Sequence, residues 1–265
     1  DALGGRDTPS QGLDVAAEFL RMNVEKWGFK PAGDNGTFFQ KIALTRESID
    51  TANTRLEIGG KQLKYGEDFY RLSGGGSASG PLVFGRDGWM VKAKNIDSFA
   101  GVDVKGKIVV IASQSFSQST LTPRPAGVTP EDLKGQKGTD WADAITHAQT
   151  AGASAVLLIA PPQLQSAWAR LGNFLGGGTT FPEKFRTGDA AAASLPVLLV
   201  NQTAGDAIFA GESGDRNAAA AFAINKSGVA AAASRKETLW TQNVVALWEG
   251  SDPVLKSEMV AVGAH

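Results

Sequence analysis

Few side chains in this sequence could carry chemistry, and their scarcity narrows which chemistry it would be. There are two histidines, His147 and His265, and no cysteine. Without cysteine there is no disulfide framework, no thiolate zinc site, no cysteine nucleophile and no iron–sulfur cluster. A metal site within the chain would therefore draw on carboxylates. His265 follows the apolar run Val260-Ala261-Val262 through Gly263-Ala264. The carboxyl end of a central strand is where α/β folds place ligands and metals. One imidazole still supplies only one of the three or four protein ligands that zinc takes. His147 lies on the flank of an apolar helix face, where a surface or half-buried structural role is expected.

Two other patterns come close to known chemistry and miss it. Gly101-Val102-Asp103-Val104-Lys105-Gly106-Lys107-Ile108 has the spacing of a phosphate loop. Ile108 stands where a Ser or Thr would bind magnesium, and the segment leads into a strand rather than a helix. A turn opening a strand is the expected structure. Gly76-Ser77-Ala78-Ser79-Gly80 places serine second and fourth, where a nucleophile elbow needs it third. A flexible loop is expected there. Three glycosylation sequons begin at Asn35, Asn201 and Asn225 and matter only in a glycosylating host.

The elements that must position these residues are bounded by composition. The 265 residues make one large domain or two small ones. Hydrophobic residues at 42% suffice for a packed core, and 32 glycines imply frequent turns. With 26 basic against 27 acidic residues there is no global basic field, which argues against a nucleic-acid binder. The longest apolar runs, Leu195 to Val200 and Ala155 to Ala160, reach about a third of the roughly 18 residues of a membrane span. No signal-peptide pattern is present. The chain begins at Asp1 and is read as a processed product or a cut piece.

Periodicity predicts a helix from Gly12 to Trp27, with Leu13, Ala16, Leu20, Val24 and Trp27 on one face and Gly28 as its stop. Thr37 to Thr45 reads as a strand. Arg55 to Ile58 and Lys61 to Tyr65 flank Gly59-Gly60 as a hairpin. Ser73 to Gly80 reads as a loop, Pro81 to Phe84 and Lys107 to Ala112 as buried strands, and Gln114 to Gly138 as a surface loop. A βαβ unit follows: a helix from Trp141 to Ala151 capped by Asp140, then a strand from Ala155 to Ala160; if the strands of Ile108 and Val156 are parallel, the crossover is right-handed. Leu171 to Ala193 reads as a loop, Leu195 to Val200 as a strand and Thr203 to Ala210 as a short helix. Three alanine runs, starting at Ala190, Ala218 and Ala230, read as loops and strand margins. Gln242 to Trp248 and Met259 to Gly263 read as strands, the latter buried.

At this point the residues resemble a known family. Gln242-Asn243-Val244-Val245-Ala246-Leu247, Glu249-Gly250-Ser251-Asp252-Pro253 and Met259-Val260-Ala261-Val262-Gly263-Ala264-His265 resemble the start of the catalytic core of M28 zinc peptidases. Leu3-Gly4-Gly5-Arg6, Ala16-Ala17-Glu18-Phe19 and Gly28 to Gln40 are similar to the opening helix and first strand of secreted bacterial members. Between them, Tyr65-Gly66-Glu67-Asp68-Phe69, Gly80-Pro81-Leu82-Val83-Phe84, Val102 to Val110 and Ala151 to Val156 resemble the protease-associated (PA) domain inserted in such enzymes.

The resemblance implies an α/β fold. It would be a β-rich PA domain, with a partly closed sheet and flanking helices, plus N- and C-terminal edge segments of an α/β aminopeptidase core. The implied divisions are residues 1–50 (peptidase-core helix and strand), 51–236 (PA domain) and 237–265 (first strands of a truncated core). His265 would be the first zinc ligand of a site incomplete in this chain, and no other metal, cofactor or catalytic residue is assigned. The intact parent would hold two zinc ions and a bridging water, with a carboxylate as general base. It would act on peptides from the amino end, and would be secreted or periplasmic. The chain alone is expected to be an inactive N-terminal portion with no cofactor of its own. Its core-facing segments would be left exposed by a missing catalytic domain, with a risk of dimerisation. The alternative is a stand-alone PA module that binds peptide or protein.

Overall fold

The structure, a computed structural model, describes residues 5–112, 121–176, 178–185 and 194–264. The chain forms two compact units, one of residues 1–46, 180–186 and 236–265, the other of residues 47–179 and 187–235. In chain order the elements begin with α1 (Gln11–Lys26), β1 (Lys30–Pro31), β2 (Phe39–Ile49), β3 (Arg55–Ile58), β4 (Lys61–Leu63), β5 (Phe69–Ser73) and β6 (Gly76–Phe84). There follow β7 (Met90–Val91), β8 (Ile96–Asp97), β9 (Ile108–Ala112), β10 (Trp141–Ala142), α2 (Ala144–Thr150), β11 (Ala155–Ile159) and α3 (Trp168–Leu175). The last are β12 (Thr179–Pro182), β13 (Val197–Val200), α4 (Gln202–Phe209), β14 (Phe222–Ala232), β15 (Ser234–Val244) and β16 (Ala246–Leu247).

In the first unit Ser10 caps α1, its side chain accepting from the Leu13 N–H at 3.1 Å. Gly28 takes a left-handed φ of 86° and ends the helix, with the Phe29 N–H bonded to the Val24 carbonyl. Strand β1 pairs antiparallel with β16, and β2 lies between β12 and β15. The Phe29 and Trp248 rings meet edge-on, with centroids 5.2 Å apart. The apolar face expected on α1 is only partly covered: Leu13, Ala16 and Val24 are half-buried, while Leu20 and Trp27 are more than half exposed. Met259 to Gly263, expected as a buried strand, is exposed and without regular structure, because no described strand pairs with it.

The second unit is built on an eight-stranded sheet of order β4-β3-β14-β6-β9-β11-β13-β5. The four strands β6, β9, β11 and β13 run parallel, with Val109 opposite both Val83 and Val156, and Val156 opposite Val197. The edge strands β4 and β5 are consecutive in the chain, and Tyr65 bridges Phe69, so the sheet is nearly closed. Strands β9, β11 and β13 are buried along their whole length. Their unbroken apolar runs follow from cover on both faces. Ile108, Val110, Leu157, Ile159, Leu198 and Val200 join Ile208 and Phe209 of α4 in one core. The alternate residues Val109, Ile111, Val156, Leu158 and Leu199 pack with Ala144 and Ala148 of α2 and with Trp168 of α3.

Three expectations change. Helix α2 starts at Ala144, not Trp141, and its cap is Asp143, which accepts from the Thr146 N–H at 2.8 Å. Trp141 is held elsewhere: it pairs with Val91, stacks with Trp89 and donates to the Gly135 carbonyl. Residues 76–80 are strand rather than loop, because Ala78 fits opposite Ala230 of β14. The alanine run from residue 230, expected at a strand margin, closes β14, and Ala230, Ala231 and Ala232 are buried there, where small side chains let neighbouring strands pack. Within the expected loop after Leu171, α3 reaches Leu175 and β12 follows, since Trp168, Leu171 and Leu175 share one face on the core. The alanine run from residue 190 and the first part of the loop from residue 114 lie outside the described residues.

Candidate functional site

His265 lies outside the described residues, and the segment leading to it, Met259 to Ala264, is solvent-exposed. Among the described residues no group of three or more His, Cys, Asp or Glu side chains is placed to hold a metal ion. They do not by themselves fit a zinc centre, and no catalytic step through zinc follows from them. The phosphate-loop look-alike is a turn into β9: Gly101 and Gly106 have positive φ, and Lys107 donates to the Asp103 carbonyl instead of facing an anion site. Ser77 and Ser79 lie within β6, pairing with β14, and form no nucleophile elbow.

The more organised chemistry lies at the carboxyl ends of the parallel strands. Strand β6 ends at Phe84, and Gly85-Arg86-Asp87-Gly88 turns the chain, closed by the Gly88 N–H on the Gly85 carbonyl at 2.9 Å. Both glycines are required by close packing. A Cβ on Gly85 would lie 2.5 Å from Phe99 Cε1, and one on Gly88 would lie 2.6 Å from Ala144 Cβ. The Asp87 carboxylate accepts from the buried Ser98 hydroxyl and from the Trp89 N–H. The Arg86 carbonyl accepts the Ala112 N–H at 2.8 Å, tying the turn to the end of β9.

His147 supports this turn from α2. It is only 8% exposed, its ring lies flat on Phe99 with centroids 4.0 Å apart, and Nδ1 is 2.9 Å from the Gly88 carbonyl oxygen. A carbonyl only accepts, so Nδ1 carries the hydrogen. Burial holds the imidazole pKa below its ordinary value, outweighing the Gly88 carbonyl and the Asp97 carboxylate, which lies 3.7 Å from Nε2. The expectation of a structural histidine holds, and the ring is more buried than expected.

At the ends of β11 and β13 the polar groups are already partnered. The Asn201 side chain caps α4 through the Ala204 N–H and donates to the Glu67 carbonyl. Gln202 donates to the Ala160 carbonyl and accepts from Arg216, which also pairs with Asp206. Lys226 closes the other end of α4, donating to the Ile208 and Ala210 carbonyls and to Glu212. Arg86 differs from all of these. It is half-buried, its φ is +54°, and its guanidinium has no hydrogen-bond or ion-pair partner among the described residues. Sequence reasoning missed it. The available signal was a short Gly-Arg-Asp-Gly turn directly after an apolar strand.

With this geometry in hand, comparison with known proteins gives two kinds of match. Residues 78–208 match the family model of the PA domain. No curated protein matches the sequence. Among solved structures the chain is similar to an aminopeptidase from Aneurinibacillus sp. strain AM-1, at 17% identity and a TM-score of 0.40, covering 92% of this chain and 44% of that one. It is similar to BSAP, a zinc aminopeptidase from Bacillus subtilis, at 12% identity and 0.32, covering 95% and 45%. It is also similar to a peptidase M28 precursor from Shewanella amazonensis SB2B, at 12% and 0.31, covering 92% and 47%. The chain thus spans less than half the length of each of these structures.

Proposed function

We propose that this chain is the PA-bearing portion of a zinc-dependent aminopeptidase of the M28 type, exported from the cell, in which the PA unit shapes the access of peptides to a separate catalytic domain. The observation that carries this reading is an insertion. Apart from residues 180–186, the PA match at 78–208 falls inside the second unit, while residues 1–46 and 236–265 on either side of it belong, with 180–186, to one other unit. The flanks carry the sequence resemblance to a peptidase core, ending in Gly263-Ala264-His265. Exposed Phe19, Met22 and Trp27 on α1 and Trp240 on β15 fit a unit that a further domain covers. His265 is the first zinc ligand in this reading, and the remaining ligands lie outside this sequence.

The test is release of amino acids from aminoacyl-p-nitroanilides, measured for the intact gene product and for these 265 residues alone. The expected result is chelator-sensitive turnover by the former and none by the latter. Chelator-sensitive turnover by the 265-residue chain, or none by the intact product, overturns the reading. A peptide-binding module without activity is the second reading, favoured by the unpartnered Arg86 on the PA unit.

A further inference from the structure

We propose that Arg86 is the anchor of a carboxylate-binding site on the PA unit, independent of any peptidase activity. Among the described residues, three other than glycine have positive φ: Asn35, Arg86 and Asn95. Asparagine tolerates that region, whereas a long side chain at φ +54° is strained. Positive φ at the second residue of a turn and not at the third is the type II′ sign pattern, whose second position glycine ordinarily fills.

The surroundings give the turn no freedom to relax. Gly85 and Gly88 are locked by packing, the Gly88 carbonyl is held by His147, Asp87 is held by Ser98, and the Arg86 carbonyl is bonded to Ala112. The strain persists because the fold over-determines the backbone, and the side chain receives no bond within the described residues in return. What the arrangement does supply is a half-buried arginine at the carboxyl end of β6, its backbone tied to the end of β9. A guanidinium offers a planar pair of N–H donors matched to a carboxylate. A single guanidinium, followed directly in the chain by the carboxylate of Asp87, suits a monoanion and not a phosphate dianion.

The test is calorimetric titration of the 265-residue chain with acetyl-trialanine, with its C-terminal amide, and with the amidated acetyl-Ala-Asp-Ala peptide, with inorganic phosphate as a fourth probe. Binding of the first but not its amide identifies a chain-terminal carboxylate. Binding of the aspartyl peptide identifies a side-chain one. Either result supports the site if Arg86→Gly weakens binding about tenfold or more while Arg86→Lys retains part of it. Arg86→Gly should at the same time raise the melting temperature, by about 2 to 4 °C. Unchanged binding in Arg86→Gly, no binding of either carboxylate peptide, tighter binding of phosphate, or a lower melting temperature in Arg86→Gly overturns the proposal.

Discussion

The Nδ1 of His147 and the carbonyl of Gly88 form a 2.9 Å hydrogen bond that joins helix α2 to the turn leaving strand β6. Fifty-nine residues separate the two in sequence. The bond therefore fixes a loop that local propensity would leave free, and burial around it disfavours the charged imidazolium.

Acid should loosen this junction. Burial lowers the His147 pKa from its reference of 6.5, so the unfolded chain takes up the proton more readily than the folded one. Stability from this group is full above 6.5 and falls as the pH drops from there toward the depressed folded value. Denaturant melts of wild type and His147→Gln between pH 8 and 5 check it. The variant should lose about 1–2 kcal/mol at pH 8 and show a shallower decline below 6.5.

Gly85→Ala should destabilise the second unit by about 1–3 kcal/mol, through overpacking alone. The added methyl would meet Phe99 Cε1 at 2.5 Å and Val109 Cγ1 at 2.8 Å, and Gly85 has no positive φ to confound the result. Chemical denaturation with an unchanged m-value would confirm a packing effect.

Much of this second unit was legible in the sequence because its signals are local and redundant. The apolar runs at Ile108, Val156 and Val197 needed no partner to be recognised as buried strands. Gly59-Gly60 announced its hairpin, and both residues have positive φ. The failures arose where tertiary pairing outvoted local pattern. Trp141 looked like the first residue of a helix and became a strand partner of Val91. Ala78 looked like loop until Ala230, near the end of β14, supplied its small neighbour. Arg86 was invisible because its meaning lies in a dihedral angle and a missing partner, neither of which composition records.

Asp143→Ala should cost about 1 kcal/mol, the usual worth of an N-cap. Burial pushes this carboxyl pKa up, but the Lys137 ammonium and the Thr146 N–H and hydroxyl outweigh it, and the net shift is downward. Its contribution is therefore present above the ordinary carboxylate range and lost as pH falls through the depressed value. Asp140→Ala, at the cap expected from sequence, should leave α2 helicity unchanged by hydrogen exchange.

Ser154→Ala should be neutral or stabilising by up to about 1 kcal/mol. Its hydroxyl is buried with no hydrogen-bond partner among the described residues, so deleting it removes a desolvation cost and no bond. A loss above 1 kcal/mol in thermal melts would mean that the hydroxyl has a partner.

The most direct measurement of the central claim is the zinc content and aminopeptidase turnover of the intact gene product carrying His265→Ala. The account predicts bound zinc in the wild type, loss of at least one zinc equivalent in the variant, and turnover reduced by about 100-fold or more. Wild-type zinc content and turnover in the variant would contradict it.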